Sequence, residues 1–197
     1  MPDQEYVQTD GKATTPSNGL YMDGERLIVL PLRSCGAMIE AIRDLVGDMA
    51  AGPLYYLGKR IGQGLVNEVS KRVKGKGRVE DVAHAVGDLL EELGFGKISI
   101  IDADNETATL KLYSPPSIIG MRLVSGKEKS IGGGTSRGFC HLERGIIAAI
   151  FEEILGRRVK VLEAEAGEES GKPYCTLKLI AFDSTVNSAK RAYERVA

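Results

Sequence analysis

The sequence predicts an α+β fold, an antiparallel sheet covered by helices. Three observations carry this. Strand-like segments come in pairs joined by short polar or glycine-bearing turns. Between the pairs, apolar residues recur every three or four positions, the spacing of one helix face. The resulting order, ββαααββαββα, places hairpins rather than single strands between helices, so nothing demands a parallel βαβ array.

Residues 1–18, ending in GKATTPSN, are polar and turn-rich and read as a flexible N-terminal tail. Residues 19–197 read as a single domain. In GLYMDGERLIVLPL, apolar residues flank Asp23-Gly24, a pair suited to the positive φ angles of a two-residue hairpin turn. Ser34 is placed to cap a first helix with Met38, Ile42, Leu45 and Met49 on one stripe, and Gly52-Pro53 ends it and opens a second. The second helix carries Leu54, Leu57, Ile61, Leu65, Val69 and Val73, with Gly58 and Gly62 beside them. Interior glycines cost roughly 1 kcal/mol each relative to alanine, so two of them point to close packing or to room for a bound molecule.

After KGKG, Val79, Val82, Val86, Leu89, Leu90 and Leu93 mark a third helix stopped by Gly94, with His84 on its solvated face. KISIIDADNETATLKLY reads as two strands around a polar turn. The segment 115–138 is loosely patterned and reads as a lid or, through SIGGGTSRGF with Arg122, Lys127, Lys129 and Arg137, as an anion site at a helix start. It matches neither GxGxxG nor GK[ST]. A helix over 139–155 (Leu142, Ile146, Ile147, Ile150, Ile154), strands over 158–165 and 173–182, and a final helix from about Ser184 complete the chain.

Composition narrows the function classes. Lys and Arg number 26 against 27 Asp and Glu, a net charge of −1 that gives no overall drive toward nucleic acid or an anionic membrane. No apolar run approaches the ~20 residues of a membrane span, and MPDQEYVQTD is not a signal peptide, so the chain reads as cytoplasmic. Three cysteines are too few for a disulfide framework, and each alone reads as a small buried hydrophobe.

One constellation carries chemistry. Cys140 opens the helix at 139–155, Glu163 alternates with Val159 and Val161, and Cys175 alternates with Leu177 and Leu179. If both strand faces are covered, a carboxylate and a thiol enter one buried layer. Such a carboxylate must pair with a base, accept hydrogen bonds, stay protonated or bind a metal. Two thiolates and a carboxylate are acceptable zinc ligands. The alternative is two core cysteines and a glutamate at an edge.

CHLERG (140–145), the helix to Gly156, VKVLEAEA and GKPYCTLKLIAF, together with LYYLGKRIGQGL and RVEDVAHAVGDLLEELGFGKISII upstream, resemble the 4-vinyl reductase-like, or hydrocarbon-binding, domain family over roughly residues 20–182. The resemblance implies a fold shared with TRAPP trafficking-complex subunits, pairing as a homodimer, and a small apolar or aromatic molecule between helices and sheet. The same domain is similar to the sensory module of phenol-responsive transcription activators. That branch implies a zinc site of one cysteine, one glutamate and two further cysteines. Cys140, Glu163 and Cys175 match three of these, and the remaining cysteine falls at Ala166. The lipid-bearing cysteine of the trafficking branch has no counterpart, since no cysteine lies between residues 36 and 139.

The expectation is therefore a cytoplasmic, homodimeric binding protein without catalytic residues. Its ligand, a hydrophobic or aromatic hydrocarbon, would be lined by Tyr55, Tyr56, Leu57, Ile61, Leu65, Ile118, Ile119 and Met121. One rival is a metal-dependent or reductase-type enzyme using Cys140, Glu163 and Cys175. Another is a protein-interaction module whose interior is filled by its own side chains.

Overall fold

Alternation is what the sheet strands show. In β4 (Thr107–Tyr113), Ala108, Leu110 and Leu112 are buried while the residues between them are half-exposed. In β6 (Lys172–Phe182), Cys175, Leu177, Leu179 and Ala181 are buried. These two strands pair antiparallel at the centre of a four-stranded sheet ordered β3-β4-β6-β5, with β3 (Ile98–Ala103) and β5 (Arg158–Glu169) at its edges. The structure is a computed structural model and describes residues 20–22, 25–74, 77–126 and 140–182. The tail at 1–18, the Asp23-Gly24 turn, the SIGGGTSRGF loop and the helix expected from Ser184 lie outside the described residues.

The chain forms two units, residues 1–31 and 32–197. In the first, β1 (Leu20–Met22) and β2 (Glu25–Leu27) pair antiparallel with Leu20 opposite Leu27 and Met22 opposite Glu25. Ile28, Val29 and Leu30 follow, all exposed.

In the second unit, helix α1 spans Leu32–Val46, a 3₁₀ turn covers Gly47–Ala50, and α2 (Ala51–Arg72), α3 (Val79–Glu92), α4 (Pro116–Ser125) and α5 (His141–Leu155) follow. Helices α3 and α5 cover one face of the sheet, and α2 lies on α5. Helix α5 is thus enclosed between a helix and the sheet, and the run Gly145–Phe151 is buried throughout. That is the pattern of a core helix, apolar around most of its circumference.

Glycines set the helix crossings. A Cβ at Gly58 would lie 2.1 Å from the Leu142 carbonyl oxygen, and one at Gly145 would lie 2.1 Å from the Tyr55 carbonyl oxygen. Gly62 meets Ile146 backbone in the same way, so α2 and α5 pack backbone to backbone. Of the two readings of Gly58 and Gly62, the structure shows close packing. A second crossing joins Gly36 of α1 to Gly120 of α4, each facing the other's backbone.

These crossings correct several expectations. The buried face of α2 runs through Leu54, Gly58, Gly62 and Val69, rather than along Leu57 and Ile61. Helix α1 begins at Leu32, two residues before Ser34. It ends where Gly47 takes φ +58°, ahead of Gly52-Pro53. Because Gly36 and Ile39 face inward, the stripe of Met38, Leu45 and Met49 turns out to solvent, at 49%, 84% and 76% exposure. The expected loop from 115 holds a ten-residue helix to Ser125, started by Pro116 and closed by Gly126 in the left-handed conformation. Strands β5 and β6 extend to a two-residue turn, Ser170-Gly171, with φ +52° and +74°. Both signs fit a type I′ hairpin.

Candidate functional site

The N-terminus of α5 is where the sequence-predicted residues and the helix crossings meet. Cys140 occupies the N-cap position and is fully buried. Its sulfur is joined to that of Cys175, on the central strand β6, in a disulfide. Glu163 on β5 is half-buried, and its Oε2 accepts a hydrogen bond from the Cys140 backbone N–H at 3.1 Å. The three residues singled out by sequence are therefore neighbours. Glu163 meets one of the needs of a partly buried carboxylate by accepting from a helix-start amide.

Two thiolates and a carboxylate suit zinc, but here the sulfurs bond to each other. Beyond Glu163 a register shift brings Ala166 opposite Cys175, at the position where the family resemblance implies a further cysteine. Among the described residues no group of three or more His, Cys, Asp and Glu is arranged to hold a metal ion. While the disulfide is closed, the residues present do not fit the metal.

One turn further along α5 lies Glu143, which the sequence reading did not single out. It is 1% exposed. Its Oε1 accepts from the Ser117 N–H at 2.9 Å and its Oε2 from the Ser117 Oγ–H at 2.8 Å. Ser117 is in the first turn of α4, so Glu143 satisfies an otherwise open amide there and places negative charge at the positive end of that helix. Burial holds the Glu143 carboxyl above its ordinary range, against the pull of the Ser117 hydrogen bonds. The signal was available, because Glu143 shares the stripe of Ile146, Ile147, Ile150 and Ile154 at helical spacing.

Around this junction, Cys35 of α1 is half-buried, and burial followed by the charge of Glu143 pushes its thiol up. His141 is held below its ordinary pKa by burial and then by Arg144. Arg144 donates from Nε to the Val161 carbonyl at 3.1 Å, and its guanidinium lies 5.7 Å from the Tyr55 ring centroid.

An apolar cluster sits between α1, the start of α2 and α4. Ile39, Ala50 and Leu54 form its buried centre, with Cys35, Ile42, Val46 and Met121 packed against them. Of the expected lining residues, Met121 belongs to this cluster and Ile118 is buried in α4, while Ile119 is half-buried. Tyr55, Leu57 and Leu65 are half-buried on the flanks of α2. Tyr56 and Ile61 are exposed, at 64% and 38%.

No protein-family model and no curated protein matches the chain. Solved structures do. The phenol-responsive sensory domain of the transcription activator PoxR, solved with phenol, is similar at TM-score 0.69 and 14% identity, over 91% of this chain and 90% of that one. An H-NOX variant carrying 4-cyano-L-phenylalanine is similar at TM-score 0.53 and 10% identity, over 82% and 78%. A vinyl-4-reductase family protein from Methanocaldococcus jannaschii has 22% identity over 80% and 85%, with TM-score 0.46. The α+β expectation is met: an antiparallel sheet carries helices on one face, and the chain has the fold of the phenol-responsive sensory domain.

Proposed function

We propose that this chain binds a small hydrophobic or aromatic molecule and does so as a homodimer. The observation that carries the reading is the likeness, over nine-tenths of both chains, to a sensory domain solved with phenol. Local chemistry supports it. The cluster of Ile39, Leu54 and Met121 is apolar, and the Glu143–Ser117 pair adds two buried hydrogen bonds, with Glu143 acting electrostatically on Cys35 of the same cluster. Small-molecule sites combine such apolar lining with few polar groups. Ile118, Ile119 and Met121 from α4, with Tyr55 and Leu57 from α2, line the proposed site.

The dimer reading rests on the exposed apolar side chains of α1 and the turn after it. Met38 and Leu45 lie seven residues apart on α1 and Met49 follows in the 3₁₀ turn, all largely exposed, and an isologous contact would cover the same patch on both copies. No helix among the described residues is long and apolar enough to cross a membrane.

The test is displacement of a fluorescent apolar probe by a panel of phenols, fatty acids and tetrapyrroles. The reading expects saturable probe uptake and its reversal by at least one class at micromolar concentration. A folded protein that takes up neither probe nor competitor contradicts it.

A further inference from the structure

We infer that Glu143, held by Ser117, forms the polar end of the proposed site and selects an apolar molecule bearing a hydroxyl group over a plain hydrocarbon; the inference rests on the small-molecule reading above. The placement comes from three helices. Cys35 and Ile39 lie one turn apart on α1, and both belong to the apolar cluster that includes Met121. Ser117 and Met121 lie one turn apart on α4 and share a face of that helix. Glu143 of α5 bonds to Ser117, and its charge acts on the Cys35 thiol. The carboxyl therefore stands at the Cys35–Ser117 end of the cluster.

The chemistry follows from what this carboxyl lacks. Among the described residues no cation pairs with it: burial, Ser117, its own amide and the charge of Glu163 are what act on it. A buried acid without a counter-ion is costly. Supporting the start of α4 does not call for an acid, because a neutral amide oxygen would accept from Ser117 as well. A carboxylate presents roughly four lone-pair sites. The Ser117 N–H, the Ser117 Oγ–H and the Glu143 N–H take three of them, which leaves one acceptor position at the end of an apolar cluster. A hydroxyl both donates and accepts, so it complements the carboxyl in either protonation state; an ether only accepts and a methyl group does neither. A site that hydrogen-bonds a hydroxyl rejects the analogue lacking one, because its own buried polar group is then left unpaired.

The test titrates the full chain by calorimetry with three rings of similar size: phenol, anisole and toluene. Phenol should bind at least about tenfold more tightly than toluene, as a buried hydrogen bond to a charged group supplies, and anisole should bind more weakly than phenol. Equal affinities for phenol and toluene, or anisole as tight as phenol, overturn the inference, leave the small-molecule reading intact and need no variant to fold. Glu143→Gln, with its fold verified by circular dichroism, should lower the phenol-to-toluene affinity ratio by about threefold, since a charge-assisted bond is roughly twice as strong as a neutral one. A purely structural Glu143 would weaken all three rings alike; an unchanged ratio in the folded variant therefore overturns the inference. Failure of all three rings to bind overturns it as well, and uptake of the fluorescent apolar probe in the same sample separates that outcome from failure of the wider reading.

Discussion

Replacing Gly58 with alanine should destabilise the protein, while the same change at Gly64, six residues along the same helix, should stabilise it. At Gly58 the new Cβ would stand 2.1 Å from the Leu142 carbonyl oxygen and 3.0 Å from the Gly145 Cα. Unstrained heavy-atom contacts sit at roughly 3.5 Å. The obstacle is the backbone of a buried helix, which cannot rotate aside, so the cost falls near the upper end of the ~1–3 kcal/mol range for overpacking. Alanine's better helix propensity returns about 1 kcal/mol. The net loss is about 2 kcal/mol, a Tm lower by roughly 4–8 °C for a chain of this size. At Gly64 nothing lies within 4 Å of the new atom, so the propensity gain stands alone and Tm should rise by roughly 2–4 °C. Thermal melts followed by circular dichroism, with urea midpoints at unchanged m-value, read both effects. A Gly58→Ala variant as stable as the wild type would refute backbone contact between α2 and α5 and would restore space there for a guest.

Further expectations follow from the α5 junction and the α1 stripe. A carboxyl held above its ordinary 4.5 favours the protonated fold. Its contribution is therefore complete below 4.5 and is lost as pH rises through the folded value. The urea midpoint of the wild type should accordingly fall relative to that of Glu143→Gln as pH is raised from about 4.5; a gap that stays constant with pH would contradict this. Ser117→Ala removes one donor from the buried Oε2 of Glu143 and should cost about 1–3 kcal/mol, read from chemical denaturation; no loss would show that the pair is not sequestered. Leu45→Glu combined with Met49→Lys should leave the fold intact by circular dichroism and turn a dimer into a monomer by sedimentation. A dimer that persists, or a wild type already monomeric, removes the α1 stripe from the interface.

Helices with a continuous apolar stripe were legible in the sequence. Val79 through Leu90 and Leu142 through Ile150 place their apolar stripes in the core as their spacing demands, Ile154 at the helix end is half-buried, and the alternation in β4 and β6 gave the sheet face correctly. The N-terminal helices were less legible, because their inward faces are written in glycine. Spacing of large apolar residues points to Met38, Leu45, Leu57 and Ile61, whereas close backbone approach turns Gly36, Gly58 and Gly62 inward and leaves those side chains at the flanks or in solvent. Helix α4 carried its start and stop signals in Pro116 and Gly126, with an interior too short for clear periodicity. The proximity of Cys140, Glu163 and Cys175 could be read from parity and family resemblance. The bond between the sulfurs could not, since it depends on how α5 sits over β6. Glu143 was visible as a charge on an apolar stripe, but its partner Ser117 lies 26 residues away on another helix.

The most direct test of small-molecule binding follows methyl resonances of the isotopically labelled protein during titration with phenol. The account predicts saturable shifts at Ile39, Ile118 and Met121, around the α1–α4 cluster, with the exposed Ile101 and with Ile180, paired with Thr107 on β4, unmoved. Uniformly small, non-saturating shifts, or shifts confined to the outer sheet face, would contradict it.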